Sequence, residues 1–162
     1  MLNMMYTTLL HQYQLVLSAR GALLNYCETI RPEHLAQPIP SFNNDSMGSL
    51  MRHVANTYLG WLLNFLQQEQ RPYFTEDNHK NLQAIRSMFE QVNLVANDFL
   101  LHHKDDMTTP LSLPREGEEA LSITPLQLFT HTITHEFHHK GQLAIMSRQL
   151  GYIPVDTDVI RD

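Results

Sequence analysis

A single cysteine, Cys27, stands among 162 residues, which excludes an intrachain disulfide and a zinc site built from several thiolates. Basic residues are also scarce. The 11 Lys plus Arg face 17 Asp plus Glu, giving a formal net charge of -6 with no basic run. Phosphate backbones recruit clustered cations, so the expectation is no nucleic-acid partner. No stretch approaches the roughly 18 apolar residues needed to span a bilayer, and Met1 to Leu10 carries neither a basic leader nor a small-residue cleavage site. These absences, with a lone thiol suited to a reducing compartment, lead to the expectation of a cytoplasmic protein with no membrane partner. No repeat, low-complexity tract or linker divides the chain. Its length suffices to bury a core without disulfides or a structural metal, so one domain over residues 1–162 is expected.

What is present is helical periodicity. From Leu2 to Ile30 the positions Leu2, Tyr6, Leu9, Tyr13, Val16, Leu23, Cys27 and Ile30 follow a four-three spacing broken only at Arg20, which predicts a long amphipathic helix with Cys27 in the core. Pro32, Pro38 and Pro40 make Arg31 to Asn44 a connection. Asp45 or Ser46 is suited to cap a second helix whose stripe of Leu50, Val54, Tyr58, Trp61, Leu62 and Phe65 runs toward Gln70. Thr75, followed by Glu76 and Asp77, is suited to start a third, with Leu82, Ile85, Phe89, Val92, Ala96 and Phe99 as its stripe. Lys104 to Ser122 reads as a short hairpin or a structured loop. Thr124 and Pro125 then open a last helix that Gly151 stops. Four such stripes are satisfied by mutual burial, which predicts an all-α four-helix bundle; the long second and third connections leave room for crossovers.

The last helix carries His131, His135, His138 and His139, four of the chain's 10 histidines. At about 100° per residue, His135 and His139 lie one turn apart and only about 40° apart around the axis, a spacing at which two imidazoles can grip one divalent ion. Two ligands are too few. His53 is the best candidate for a third, because Ser49, Asn56, Thr57 and Gly60 at helical offsets around it are small or polar and leave space for an ion and a ligand. The bland alternative is a buried histidine bonded to a neighbour. His131 is a candidate third ligand or a support for one, and His138 is turned away by about 100°. His11, His34, His79, His102 and His103 read as surface or loop residues. Gln142, two turns after His135, is placed to bond a bound water or ligand or to be an ordinary polar position.

His135, Glu136 and His139 also spell H-E-x-x-H, in which a zinc hydrolase uses the glutamate as general base. The extended x-x-G-x-x-H continuation is missing after His139, and no further glutamate follows. Glu136 itself is turned by about 100° from His135, toward solvent on this reading.

The segment His135-Glu-Phe-His-His139-Lys-Gly-Gln142, then Leu143, Arg148-Gln-Leu-Gly151, Pro154 and Asp156-Thr-Asp158, resembles the close of the DinB superfamily with its H-x-x-x-H-[RK]-G-Q core. Ser49-Leu-Met-Arg-His53-Val-Ala-Asn56 is similar to its second-helix histidine segment. The resemblance implies a four-helix bundle of DinB/YfiT type with a non-simple helix order, often a homodimer, and a zinc or nickel site formed by His53, His135 and His139. The family includes metal-dependent transferases of low-molecular-weight thiols, such as mycothiol-dependent maleylpyruvate isomerase and bacillithiol transferases. That implies a small-molecule thiol or electrophile as partner. The alternative is a stress protein that binds metal or a small ligand without turnover.

Overall fold

The computed structural model describes residues 4–65, 71–115 and 117–161, which are mostly helical with one small antiparallel sheet. Leu2 and Gln70, invoked above as helix positions, lie outside the described residues, as does the side chain of Phe65. The elements are α1 (Met4–Cys27), α2 (Pro32–Leu35), α3 (Met47–Tyr58), α4 (Leu82–His102), β1 (Leu111–Arg115), β2 (Glu118–Ile123) and α5 (Pro125–Gln149). Among the described residues no helix is long and apolar enough to cross a membrane.

The α1 stripe is buried as its spacing predicts, through Leu9, Tyr13, Val16, Leu23 and Cys27. Burial pushes the Cys27 thiol up to about 12, the state of a packing residue rather than a nucleophile. Arg20, the break in the stripe, is buried as well. Helix α1 packs on α4 and α5, and α3 packs on the same two helices. Tyr13, Tyr58, Phe99 and Phe129 are fully buried where these helices meet. Each such side chain contributes about 1.5–3 kcal/mol by leaving water.

Several boundaries differ from the sequence expectation, each for a local reason. The connection after α1 is not bare, because Pro32 starts the short α2 and Pro40 starts a 3-10 turn, Pro40–Phe42. Ser46, not Asp45, caps α3, trading hydrogen bonds with Ser49 in a reciprocal box. The helix after Tyr58 does not run on as α but widens into a π-helical segment, Leu59–Phe65. Thr75 caps only a 3-10 turn, Glu76–His79, whereas α4 begins behind Asn81, whose side chain accepts from the Ala84 N–H. Lys104 to Ser122 resolves as a hairpin pairing Leu111 with Ile123 and Leu113 with Leu121. Its register shifts between Leu113 and Arg115, where Pro114 has no N–H to give. Helix α5 starts and stops as expected, with Thr124 and Gln127 forming the capping box, Pro125 in the first turn and Gly151 at φ +89 beyond the end.

Candidate metal centre

Helices α3 and α5 pack together, and their contact brings three histidines to one place. One nitrogen from each of His53, His135 and His139 lies within 4.8 Å of the others. The Nε2 atoms of His53 and His135 are 3.1 Å apart. A tetrahedral ion held at about 2.0–2.1 Å by each nitrogen would set such pairs about 3.3–3.4 Å apart. The His53–His135 pair is already near that spacing. His139 faces both, with ring centroids 4.9 Å from His53 and 4.3 Å from His135.

Protonation favours coordination. Partial burial, then the neighbouring His139 and His53, pulls the His135 imidazolium down to about 4, so the ring is neutral near pH 7. Burial also lowers His139, partly opposed by Gln142. Gln142 Oε1 accepts a hydrogen bond of 2.6 Å from His139 Nδ1, which fixes the tautomer and leaves Nε2 free to face the other two rings. Gln142 thus orients a histidine. His53 is exposed, not buried as the bland alternative required, while His135 and His139 are half-buried. The donor set fits a borderline divalent ion such as zinc or nickel.

A polar cavity of about 600 Å³ opens beside His53 and His139, with Asp45, Ser49, Arg52 and Gln142 in its wall. A second, smaller cleft of about 290 Å³ meets His53 and is walled by Thr57, Gly60, Trp61 and Tyr73. The remaining histidines lie outside the three-nitrogen group, although two of them touch its rings. His131 lies edge-on to Trp61 with centroids 5.4 Å apart, and its centroid is 5.6 Å from that of His135. His138 is exposed and edge-on to His139. His34 is half-buried and bonded to Tyr152, and His79 and His103 are also half-buried, so these three are not plain surface residues.

Glu136 does not face solvent. It is buried, and its carboxylate receives Arg20 Nε and Nη2 at 2.7 Å each and the Tyr58 hydroxyl at 2.6 Å. Asn93 Oδ1 completes the cluster by accepting from Arg20 Nη1 and from Tyr13. One turn of α5 thus presents imidazoles outward and a carboxylate inward. The H-E-x-x-H spelling places its glutamate on the wrong side of the helix to activate a water at the histidines.

Residues 5–162 match the DinB family. The chain belongs to the DinB family. It is similar to Protein DinB of Bacillus subtilis (strain 168), 25% identical over 70% of this chain and 69% of that protein. It is also similar to the protein of the same organism called uncharacterized protein YizA, 27% identical over 67% of each chain. In this DinB-family chain, sequence reasoning missed the partnership of Arg20, Tyr58, Asn93 and Glu136. The signal was available: a lone cation interrupting the apolar stripe of a buried helix needs a buried anion, and few acids lie on the other helices. It also missed that Asn56, although it stands in the cavity wall, is engaged through its amide with both backbone groups of Phe74.

Proposed function

We propose that His53, His135 and His139 hold one divalent ion, zinc or nickel, and that the protein is a metal-dependent transferase acting on a low-molecular-weight thiol or water. The observation that carries this reading is the convergence of three imidazole nitrogens, two of them, from His53 and His139, on residues that line an open cavity. A bound ion there supplies a Lewis acid that favours the ionised form of a thiol or water near neutral pH. Gln142 holds His139 in the ligating tautomer. Arg52 gives the cavity wall a cation suited to orienting a carboxylate on an incoming molecule. The pairing of α1 and α3 each with α4 and α5 supports a four-helix bundle of non-simple order. On this reading residues 1–162 are one cytoplasmic domain acting as a homodimer.

A second reading, a metal- or small-ligand-binding stress protein without turnover, draws on one observation. Glu136, the acid nearest the histidines in sequence, is locked to Arg20 and Tyr58 and offers no general base. Elemental analysis of protein purified without a histidine tag tests the shared premise. Stoichiometric metal is expected in the wild type and in His11→Ala, and its loss in His135→Ala. A wild type that binds no zinc or nickel, even when the ion is added back in chelator-free buffer, refutes the transferase reading and the metal-binding form of the second. Turnover of electrophiles with a panel of cellular thiols then separates them, since full metal content with no turnover supports sequestration.

A further inference from the structure

The cleft on the far side of His53 is built differently from the polar cavity. Among the described residues its walls are His53, Asn56, Thr57, Gly60, Trp61 and Tyr73, none of them Asp, Glu, Lys or Arg. Two of its polar side chains are engaged: the Thr57 hydroxyl donates to the His53 carbonyl at 3.0 Å, and the Asn56 amide is bonded to Phe74. Beyond Gly60, the rest of the lining is ring surface from His53, Trp61 and Tyr73, with the Tyr73 hydroxyl as a neutral polar group.

The cleft is also pre-shaped. Two asparagines on the same helical run fasten the returning chain. Asn56 accepts from the Phe74 N–H and donates to the Phe74 carbonyl, while Asn64 does the same with Arg71, all at 2.8–3.1 Å. Tyr73 lies between the two fastenings and is laid against Gly60, where a Cβ would meet its hydroxyl at 3.1 Å. Gly60 and Trp61 belong to the π-helical segment, a departure from α geometry that recurs at functional sites. Trp61 is set in turn by the edge of His131. Because His53 borders both this cleft and the polar cavity, a molecule seated in the cleft touches the ligand cluster directly.

We infer that the cleft between Trp61 and Tyr73 is a subsite for an uncharged, planar aromatic group, and that the electrophile handled at the histidine centre carries such a group. The assignment rests on the metal-centre reading for its second half only. The polar cavity, with Arg52 and Asp45, then receives the charged molecule, and the aromatic cleft receives the neutral one. Volume agrees with the division. About 290 Å³ accommodates one substituted ring, and stacking on an aromatic wall rewards a flat occupant over a puckered one of equal size.

Trp61 is the chain's one tryptophan, so occupancy reads out directly as a change in its fluorescence. The test titrates 4-nitrobenzyl alcohol and cyclohexylmethanol into metal-loaded and metal-free protein, with calorimetry in parallel. Saturable binding of the nitroaromatic is expected in both forms, at least tenfold tighter than cyclohexylmethanol. Thr57→Phe, which fills the cleft, and Tyr73→Ala, which removes a wall, are each expected to weaken it at least tenfold with metal content unchanged. Equal affinity in both variants, or tighter binding of cyclohexylmethanol, overturns the inference. Metal retained without aromatic binding sinks the subsite alone. Aromatic binding to a protein that binds no added zinc or nickel leaves the subsite standing and refutes the metal centre.

Discussion

Replacing Glu136 by Gln changes no more than one oxygen to an amide nitrogen, yet it strands a charge in the core. The Arg20 and Glu136 side chains are 3% and 7% exposed, and they meet through two bonds of 2.7 Å. Removing one partner of such a pair leaves the other buried and uncompensated, at a cost of about 3–5 kcal/mol. With a urea dependence of about 2 kcal/mol/M for a domain of this size, the unfolding midpoint should fall by about 1.5–2.5 M. The triple variant Arg20→Met, Tyr58→Phe, Glu136→Met removes both charges and the hydroxyl together and should be more stable than Glu136→Gln alone, because nothing is left buried and unpaired. Urea titrations followed by circular dichroism measure all three proteins. A cost below about 1 kcal/mol for Glu136→Gln, or a triple variant less stable than that single change, would refute the buried-pair reasoning. Metal content of Glu136→Gln should match the wild type, since the carboxylate faces away from the histidines.

Two further outcomes follow from the histidines themselves. Gln142→Leu removes the acceptor that orients His139 and should weaken metal affinity about 10–100-fold with little change in stability, read by competition with a chromogenic chelator; unchanged affinity would show that His139 needs no such partner. In metal-free protein the depressed His135 imidazolium, at about 4 against an unfolded value of about 6.5, means that the unfolded chain binds the extra proton first. Its contribution to stability is therefore full above about pH 6.5 and lost as pH falls toward 4, a slope that His135→Ala should flatten in urea midpoints measured across that range.

The parts legible in the sequence were those governed by local rules. The last helix is bounded by Thr124, Pro125 and Gly151 because caps and turns act over three or four residues, and its own 3.6-residue period aligned His135 with His139. His53 was reachable only through its small and polar neighbours, a weaker signal, and its approach to His135 depends on how α3 crosses α5. What local pattern could not give was everything set by a distant partner. Arg20 looked like a flaw in a stripe until Glu136, 116 residues away, supplied its counter-charge. Thr75 was a sound cap assigned to the wrong helix, since Asn81 stands closer to the first buried turn of α4. The π-helical segment carries no compositional mark at all, and its role emerges only when Asn56 and Asn64 are seen gripping the chain that returns from the other side.

The Tyr58–Glu136 bond joins the same two helices that the histidines join, five residues past His53 on α3 and one past His135 on α5. The α3–α5 spacing is thus set from the core side whether or not an ion bridges the solvent side. On the proposed reading, an ion would enter and leave a site whose two helices are already spaced, past His53, which is exposed. An ion held this way would exchange with an added chelator without the protein unfolding. The lability of such an ion would then be a property of three side chains instead of the whole fold.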